Sequence, residues 1–365
     1  MIEPVDERKL TRIGVFGAGG AGCNAVNHMI DSALEDVEFY AVNTDLQALS
    51  MSSSTNKVQI GAQLTGGLGS GGDPRIGRQA AEESIEIIRE NVTGFDMVFI
   101  AAGEGGGTGT GAAPLIAKTA KEQGALVVAV VTRPFEFEGK ARARKAKTGI
   151  DELRPHVDTL IVLPNQRILE VHGKEPCFEA FRMADEVLLN AVRGISEIVT
   201  SRQLINIDFA DVRSVMAERG GAVMAVGFAT GEGRASEAAH QALQSPLIET
   251  VSIETARKVL LNISGDSQMT LKEVDEAAQI VYHATNGQAD IRMGAARPKD
   301  LREGIKVTLI ATGLNEPLPR VEEVTDLLTN TDLFPAKRRT VLENGRILVD
   351  RNDLEIPTFI RRNLD

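Results

Sequence analysis

The chain has no tryptophan, two tyrosines, two cysteines and five histidines in 365 residues, and each scarcity removes a class of function. Cys23 and Cys177 fit no CxxC spacing and the histidines form no HExxH, so neither a disulfide framework nor a protein-held metal is expected. With 4% aromatics and a net charge of −11, no basic, aromatic-laced face is left for nucleic acid. No apolar run approaches the ~20 residues of a membrane span. The charged stretch 1–12 lacks an apolar signal core, so the expectation is a cytoplasmic, reduced protein without direct membrane insertion. GxxxxGK[ST] is also missing, which excludes the P-loop route to a nucleoside triphosphate.

Glycine, by contrast, is abundant, with 35 residues massed notably in three loops. Gly105-Gly106-Gly107-Thr108-Gly109-Thr110-Gly111 lies between the apolar run 95–102 and the alanine-rich segment 112–123. Gly17-Ala18-Gly19-Gly20-Ala21-Gly22 follows a strand at 12–16 and precedes a helix at 23–30. The third loop, 66–72, runs into Asp73-Pro74, an N-cap and N1 pair that predicts a helix to about residue 90. Glycine costs chain entropy and is kept where backbone must turn sharply or approach a ligand closely. Between a strand end and a helix start, free N–H groups and the helix dipole favour bound phosphate.

Strand-like and helix-like segments alternate through the first half, with further strands at 39–43, 126–132 and 160–163. That order predicts an α/β fold: a Rossmann-like parallel sheet covered on both faces. Phe181, Leu188, Val192, Ile195 and Val199 form an apolar stripe on a long helix at 177–200. A second, smaller α/β sandwich follows, with strands at 222–228, 258–263 and 305–312 and helices at 234–244 and 271–283. The expected division is an extension (1–11), a nucleotide domain (12–175), a central helix (176–203), a second domain (204–316), a linker (317–352) and a terminal peptide (353–365).

Gly17, Gly19 and Gly22 satisfy GxGxxG, with Asp45 as the ribose acid, which leaves a nicotinamide-dependent oxidoreductase open. A dinucleotide needs one such loop; three loops in one sheet fit a triphosphate held by backbone amides, hydroxyls and a magnesium ion. Glu138 and Arg142, four residues apart, read from spacing first as a surface ion pair and otherwise as ligand contacts. Asp185 projects from the apolar stripe four residues after Phe181, either as a paired core carboxylate or as the acceptor for a guanine edge beside a stacking ring. Asp208 and Asp211 read as N-cap and first-turn residues of a helix, or as carboxylates that polarise an attacking water.

Taken together, these motifs resemble the FtsZ family of bacterial cell-division GTPases, homologues of tubulin. The run 105–111 matches the GGGTG[ST]G signature, and Asn43-Thr44-Asp45, residues 69–72, 134–142 and 206–212 fall in family order. The resemblance implies a GTPase that polymerises head to tail and builds the division ring beneath the inner membrane at midcell. It implies GTP or GDP contacts from Gly20, Ala21, Gly22, Cys23 and Asn24, from Asn43 and Asp45, and from Ser70, Gly71 and Gly72. It adds Gly103, Gly106, Gly107, Thr108, Gly109 and Thr110, then Glu138, Arg142 and Asn165, with Phe181 and Asp185 at the base. Magnesium would be bound through the phosphates. Asn206, Asp208 and Asp211 match the loop that completes the neighbouring subunit's active site. Asp353–Arg362 resembles the peptide that docks membrane tethers and division regulators. A non-hydrolysing scaffold that binds GTP is a further alternative, opposed by the intact Asn206, Asp208 and Asp211.

Overall fold

The computed structural model describes residues 11–172, 177–200, 203–218, 220–245, 253–298 and 301–314, together with 342–343 and 346–347. Within the first compact unit, Met1–Pro317, strands β1 (Ile13–Ala18), β2 (Glu38–Asn43), β3 (Asn56–Gln59), β4 (Met97–Gly103), β5 (Leu126–Arg133) and β6 (Thr159–Pro164) lie in the order β3-β2-β1-β4-β5-β6. Every pairing among them is parallel. Continuous apolar runs such as Met97 to Ala102 are buried on both faces, as a parallel sheet between helices requires. All six strands therefore end on one side of the sheet.

Helices α1 (Gly19–Asp31), α2 (Leu46–Ser50), α3 (Ala62–Thr65), α4 (Pro74–Glu83), α5 (Ile85–Val92), α6 (Thr108–Glu122) and α7 (Lys140–Leu153) connect these strands. Beyond β6 come α8 (Asn165–His172), α9 (Cys177–Thr200), β7 (Gln203–Ile205), α10 (Phe209–Met216), β8 (Gly221–Ala229) and α11 (Arg234–Leu243). The remainder is β9 (Lys258–Gly265), α12 (Leu271–Ala284), β10 (Asp290–Ala296) and β11 (Ile305–Leu314). The second half continues the sheet as β8-β11-β9-β10-β7, mostly antiparallel, and joins the first through the single pair Ile161–Ala222. The expected smaller α/β domain is present, and its strands extend the first sheet to eleven strands.

Helix α9 is the physical link. Leu188, Val192 and Ile195 are buried in one cluster with Val128, Val130 and Ile161 of the first half and Met224, Leu260 and Ile310 of the second. The stripe read from the sequence thus packs on both halves at once. A second unit, Leu318–Asp365, contributes among its described residues only the antiparallel pair β12 (Leu342–Glu343) and β13 (Arg346–Ile347). The expected linker otherwise lies outside the described residues, as does the terminal peptide Asp353–Arg362.

Three helix boundaries differ from expectation for identifiable reasons. The helix expected from 73 to 90 breaks at Ser84, whose hydroxyl accepts the buried Gly61 N–H at 2.9 Å and whose backbone leaves the helical region (φ −105°, ψ 22°). Helices α1 and α6 start earlier than expected, inside their glycine runs at Gly19 and Thr108. The first turn of α1 lies directly on strand backbone: a Cβ at Gly22 would collide with the Ala101 carbonyl oxygen. Gly22→Ala is therefore expected to destabilise the fold by about 2 kcal/mol or more, through overpacking against backbone that cannot yield. Urea unfolding that leaves the midpoint unchanged would contradict this contact.

Candidate functional site

The parallel sheet delivers the glycine loops to one edge, and three hydroxyls lock them together there. Thr108 Oγ1 lies 2.7 Å from Thr44 Oγ1 and 3.0 Å from Ser70 Oγ, and all three residues are buried. The loops after β1 and β4 also touch: a Cβ at Gly19 would fall 2.6 Å from Gly109 N, and Gly19 has φ +71°, which suits glycine alone. Lys145 of α7 holds the remaining loop by donating Nζ–H to the Gly72 carbonyl at 2.6 Å.

Neither α1 nor α6 has a side-chain cap, whereas Asp45, Asp73, Asp208 and Thr270 cap α2, α4, α10 and α12. The N–H groups of Gly106, Gly107, Thr108 and Gly109 have no acceptor among the described residues. Two uncapped N-termini side by side, lined with free N–H groups and neutral hydroxyls, are built for an anion. Gly20, Ala21 and Asn24 sit exposed on the first turns of α1, and Gly71 and Gly72 are exposed with φ of +58° and +73°. Gly103 and Gly106 are partly open, so a ligand can approach their backbone.

Several expected ligand residues already have structural duties. Cys23 is buried, and its thiol, directed at the Gly17 and Val42 carbonyls, is raised to about 11 by burial. Only its backbone faces the loop. Asn43 accepts from Thr44 N–H (2.9 Å) and Asp45 N–H (3.3 Å), while Asp45 Oδ1 accepts from Gln47 and Ala48 N–H to cap α2. Thr110 Oγ1 accepts the Gly105 N–H at 2.8 Å and so shapes the turn from beneath. Glu138 accepts from Phe135 N–H and pairs with Arg142 at 3.0 Å across the break at Gly139 rather than along one helix. Both readings of that pair, surface salt bridge and ligand contact, are compatible with this geometry.

At the ends of β6 and α9 two polar groups await partners. Asn165 Oδ1 is buried without a hydrogen bond among the described residues. Asp185 is partly buried, and desolvation raises its carboxyl to about 6. No ion pair among the described residues joins it to a cation. Phe181 lies on α9, but its side chain is outside the described set.

Asn206, Asp208 and Asp211 are elsewhere. They follow β7, which closes the opposite edge of the sheet. Asp208 caps α10 by accepting Asp211 N–H at 2.7 Å, and Asp211 faces Arg292 at 3.5 Å. No hydrogen bond or ion pair among the described residues connects them with the glycine loops. Two residues of the cradle escaped the sequence reading. Thr44 stands between two residues that were singled out, and its signal was the neighbouring hydroxyl-bearing loops. Glu104 interrupts a phosphate-type loop with a carboxyl group, which is itself an anomaly visible in the sequence.

Residues 12–173 match the model of the Tubulin/FtsZ family, GTPase domain, and residues 220–315 that of the FtsZ family, C-terminal domain. An empty FtsZ dimer from M. jannaschii is 41% identical, with a TM-score of 0.80 over 85% of this chain and 94% of that one. A variant of FtsZ from M. jannaschii is 43% identical, at 0.80, over 84% and 92%. CetZ2 from Haloferax volcanii, solved as a GTPγS-bound protofilament, shares the fold at 20% identity and a TM-score of 0.73, over 87% and 98%. The oxidoreductase reading of Gly17, Gly19 and Gly22 finds no support: the matches are to GTPase relatives, and the Asp45 carboxylate is taken up as a helix cap.

Replacing Thr108 by valine removes the hydroxyl common to all three loops and leaves those of Thr44 and Ser70 without it. A loss of ~1–3 kcal/mol in stability is expected from buried groups left unsatisfied, with nucleotide affinity at least tenfold weaker. Wild-type affinity in a titration with labelled nucleotide would show that the junction does not organise the cradle.

Proposed function

The chain belongs to the tubulin/FtsZ family of GTPases, and on that premise we propose that it polymerises head to tail into protofilaments whose active sites are completed between subunits. The observation that carries this reading is the separation of two half-sites. The cradle at the C-terminal ends of the parallel strands offers N–H groups and hydroxyls but no base, while Asp208 and Asp211 lie in the second half at the start of α10, Asp211 against Arg292 of β10. A head-to-tail contact would bring the two together. The relatives recorded as a dimer and as a protofilament support self-association. So do Leu68, exposed in a glycine loop, and Leu204, exposed beside Asn206, since such a contact would bury both.

In the proposed cycle, Gly106, Gly107, Thr108 and Gly109 bind the terminal phosphates through N–H donors, with Gly20, Ala21 and Gly22 opposite and Ser70, Gly71 and Gly72 closing the third side. Asn24 and Asn165 reach the nucleoside, Glu138 and Arg142 its ribose side, and Phe181 and Asp185 the base. The Asp185 carboxylate accepts from the guanine N1–H and N2–H. Among the described residues no three acidic, histidine or cysteine side chains gather around a metal. Magnesium carried by the phosphates would be held beside the neutral Ser70 and Thr108 hydroxyls and would supply positive charge there. The next subunit's Asn206, Asp208 and Asp211 orient and polarise the water that attacks the terminal phosphorus.

The proposed role is that of the contractile division ring, supported by identity of 41–43% to FtsZ over more than four-fifths of the chain. Filaments would assemble beneath the inner membrane at midcell and recruit tethers and regulators through Asp353–Arg362. No described helix is long and apolar enough to cross a membrane. Attachment through a partner is therefore the form in which the ring would reach the bilayer.

Turnover per subunit should rise with protein concentration and then level off, since each site needs two subunits. Strict proportionality between total rate and concentration, without a threshold, would sink the shared site. Asp211→Ala should retain GTP binding and lose hydrolysis by at least a hundredfold, within the range usual for groups that activate a nucleophile, ~10²–10⁴. Lost binding would place Asp211 in the wrong role. Protonation of Asp185 removes an acceptor, so affinity for GDP should weaken as pH falls through about 6. An inosine nucleotide, which lacks the N2 donor, should bind less tightly at every pH. Equal affinities for the two bases would remove Asp185 from base recognition.

A further inference from the structure

Glu104 stands between Gly103 and Gly105, inside the loop that offers its N–H groups to the phosphates, and the cycle above gives it no part. Its residue is 2% exposed, and neither carboxyl oxygen has a hydrogen-bond partner among the described residues. An ionised carboxylate in that position would give up its hydration with only the Thr110 hydroxyl to offset the loss. Burial accordingly raises the carboxyl to about 7; the nearby Thr110 hydroxyl opposes the rise and the Glu152 carboxylate adds to it.

The geometry makes this side chain part of the loop's seat. Oε2 occupies the space beside Gly149 of α7, where a Cβ would collide with it and with Thr110 Cγ2. The backbone on either side is pinned: Glu104 N–H donates to the Thr132 carbonyl at 2.9 Å, and Gly105 N–H donates to Thr110. Gly105 itself lies against Arg142, with room for a Cβ only 2.8 Å from that residue. Loop and helix α7 are thus keyed together through Glu104.

The surrounding charges are committed elsewhere. On α7, Arg142 pairs with Glu138, Lys145 donates to the Gly72 carbonyl, and Glu152 faces Arg78 of α4 at 3.7 Å. Arg78 also pairs with Glu82 at 3.1 Å. Thr110 of α6 and Thr132 of β5 bring no charge. Among the described residues, no cation pairs with Glu104 to hold it as an anion.

We propose that Glu104 is a positioning residue whose neutral carboxyl seats the phosphate loop on α7, so that loss of its proton unseats the loop and weakens polyphosphate binding. The inference rests on the nucleotide reading of the cradle. By linkage, an anionic ligand above the loop disfavours the carboxylate further, so nucleotide binding takes up a proton and protonation strengthens nucleotide binding. The coupling acts as pH rises through about 7, opposite in sense to the acid-side loss at Asp185.

The test is calorimetric titration of GDP into the full chain between pH 6 and 8.5, in buffers of differing ionisation enthalpy, with wild type and Glu104→Gln compared. Wild type should take up part of a proton near pH 7.5 and lose on the order of tenfold in affinity across the range, one pKa unit of coupling being a factor of ten. Glu104→Gln should lose that slope and that proton, and any titration of GDP itself is common to both proteins. Glu104→Met, apolar and of similar length, should give the same flat profile. A slope and proton uptake no larger in wild type than in either variant overturn the role of Glu104. A wild type that binds no GDP at any pH overturns the nucleotide reading instead. Should neither variant fold, the infrared band of a protonated carboxyl in the wild type decides: it should bleach between pH 6.5 and 8, and its absence at pH 6.5 overturns the proposal.

Discussion

The site depends on the Thr108 hydroxyl, which lies within hydrogen-bond distance of both Thr44 and Ser70. The turn after β2, the glycine loop before α4 and the glycine loop after β4 meet at that oxygen. The parallel sheet is what makes the meeting possible, since its strands all end on one side. In turn, the uncapped starts of α1 and α6 point into the space that the junction frames. Without a P-loop lysine, the positive potential of that space comes from N–H groups and two helix dipoles.

A cradle made only of donors binds an anion well and hydrolyses it poorly. Ionised carboxylates placed among those donors would repel the phosphates, and Asp208 and Asp211 lie instead at the start of α10 in the second half. Helix α9 makes that separation rigid by sharing its apolar stripe between both halves. The proposed consequence is that binding is a property of one subunit and hydrolysis a property of two. Nucleotide state and assembly then report on each other.

Much of this architecture is legible in the residue order. Apolar runs bounded by glycine announce parallel strands, Asp73-Pro74 announces a helix start, and the stripe from Leu188 to Val199 announces a bridging helix. What was not legible depends on partners distant in sequence. Ser84 looks like a helical residue until Gly61 claims its hydroxyl. The second domain is legible, but the pairing of Ala222 with Ile161 that joins its strands to the first sheet is not. Glu104 looks solvent-bound until Gly149, on a later helix, leaves room to bury it. The site residues themselves were found through loops and their order rather than their contacts, which is why the structural duties of Cys23 and Asp45 emerged only from the fold.

The central claim, an active site divided between two copies of the chain, is tested most directly by mixing two crippled proteins. One carries Thr108→Val in the cradle and the other Asp211→Ala in the distant carboxylate loop. A junction that sets the intact cradle of the second against the intact Asp211 of the first regains both half-sites. The account predicts that phosphate release by the mixture exceeds the sum of the two proteins measured alone. A mixture that releases no more than that sum would contradict it.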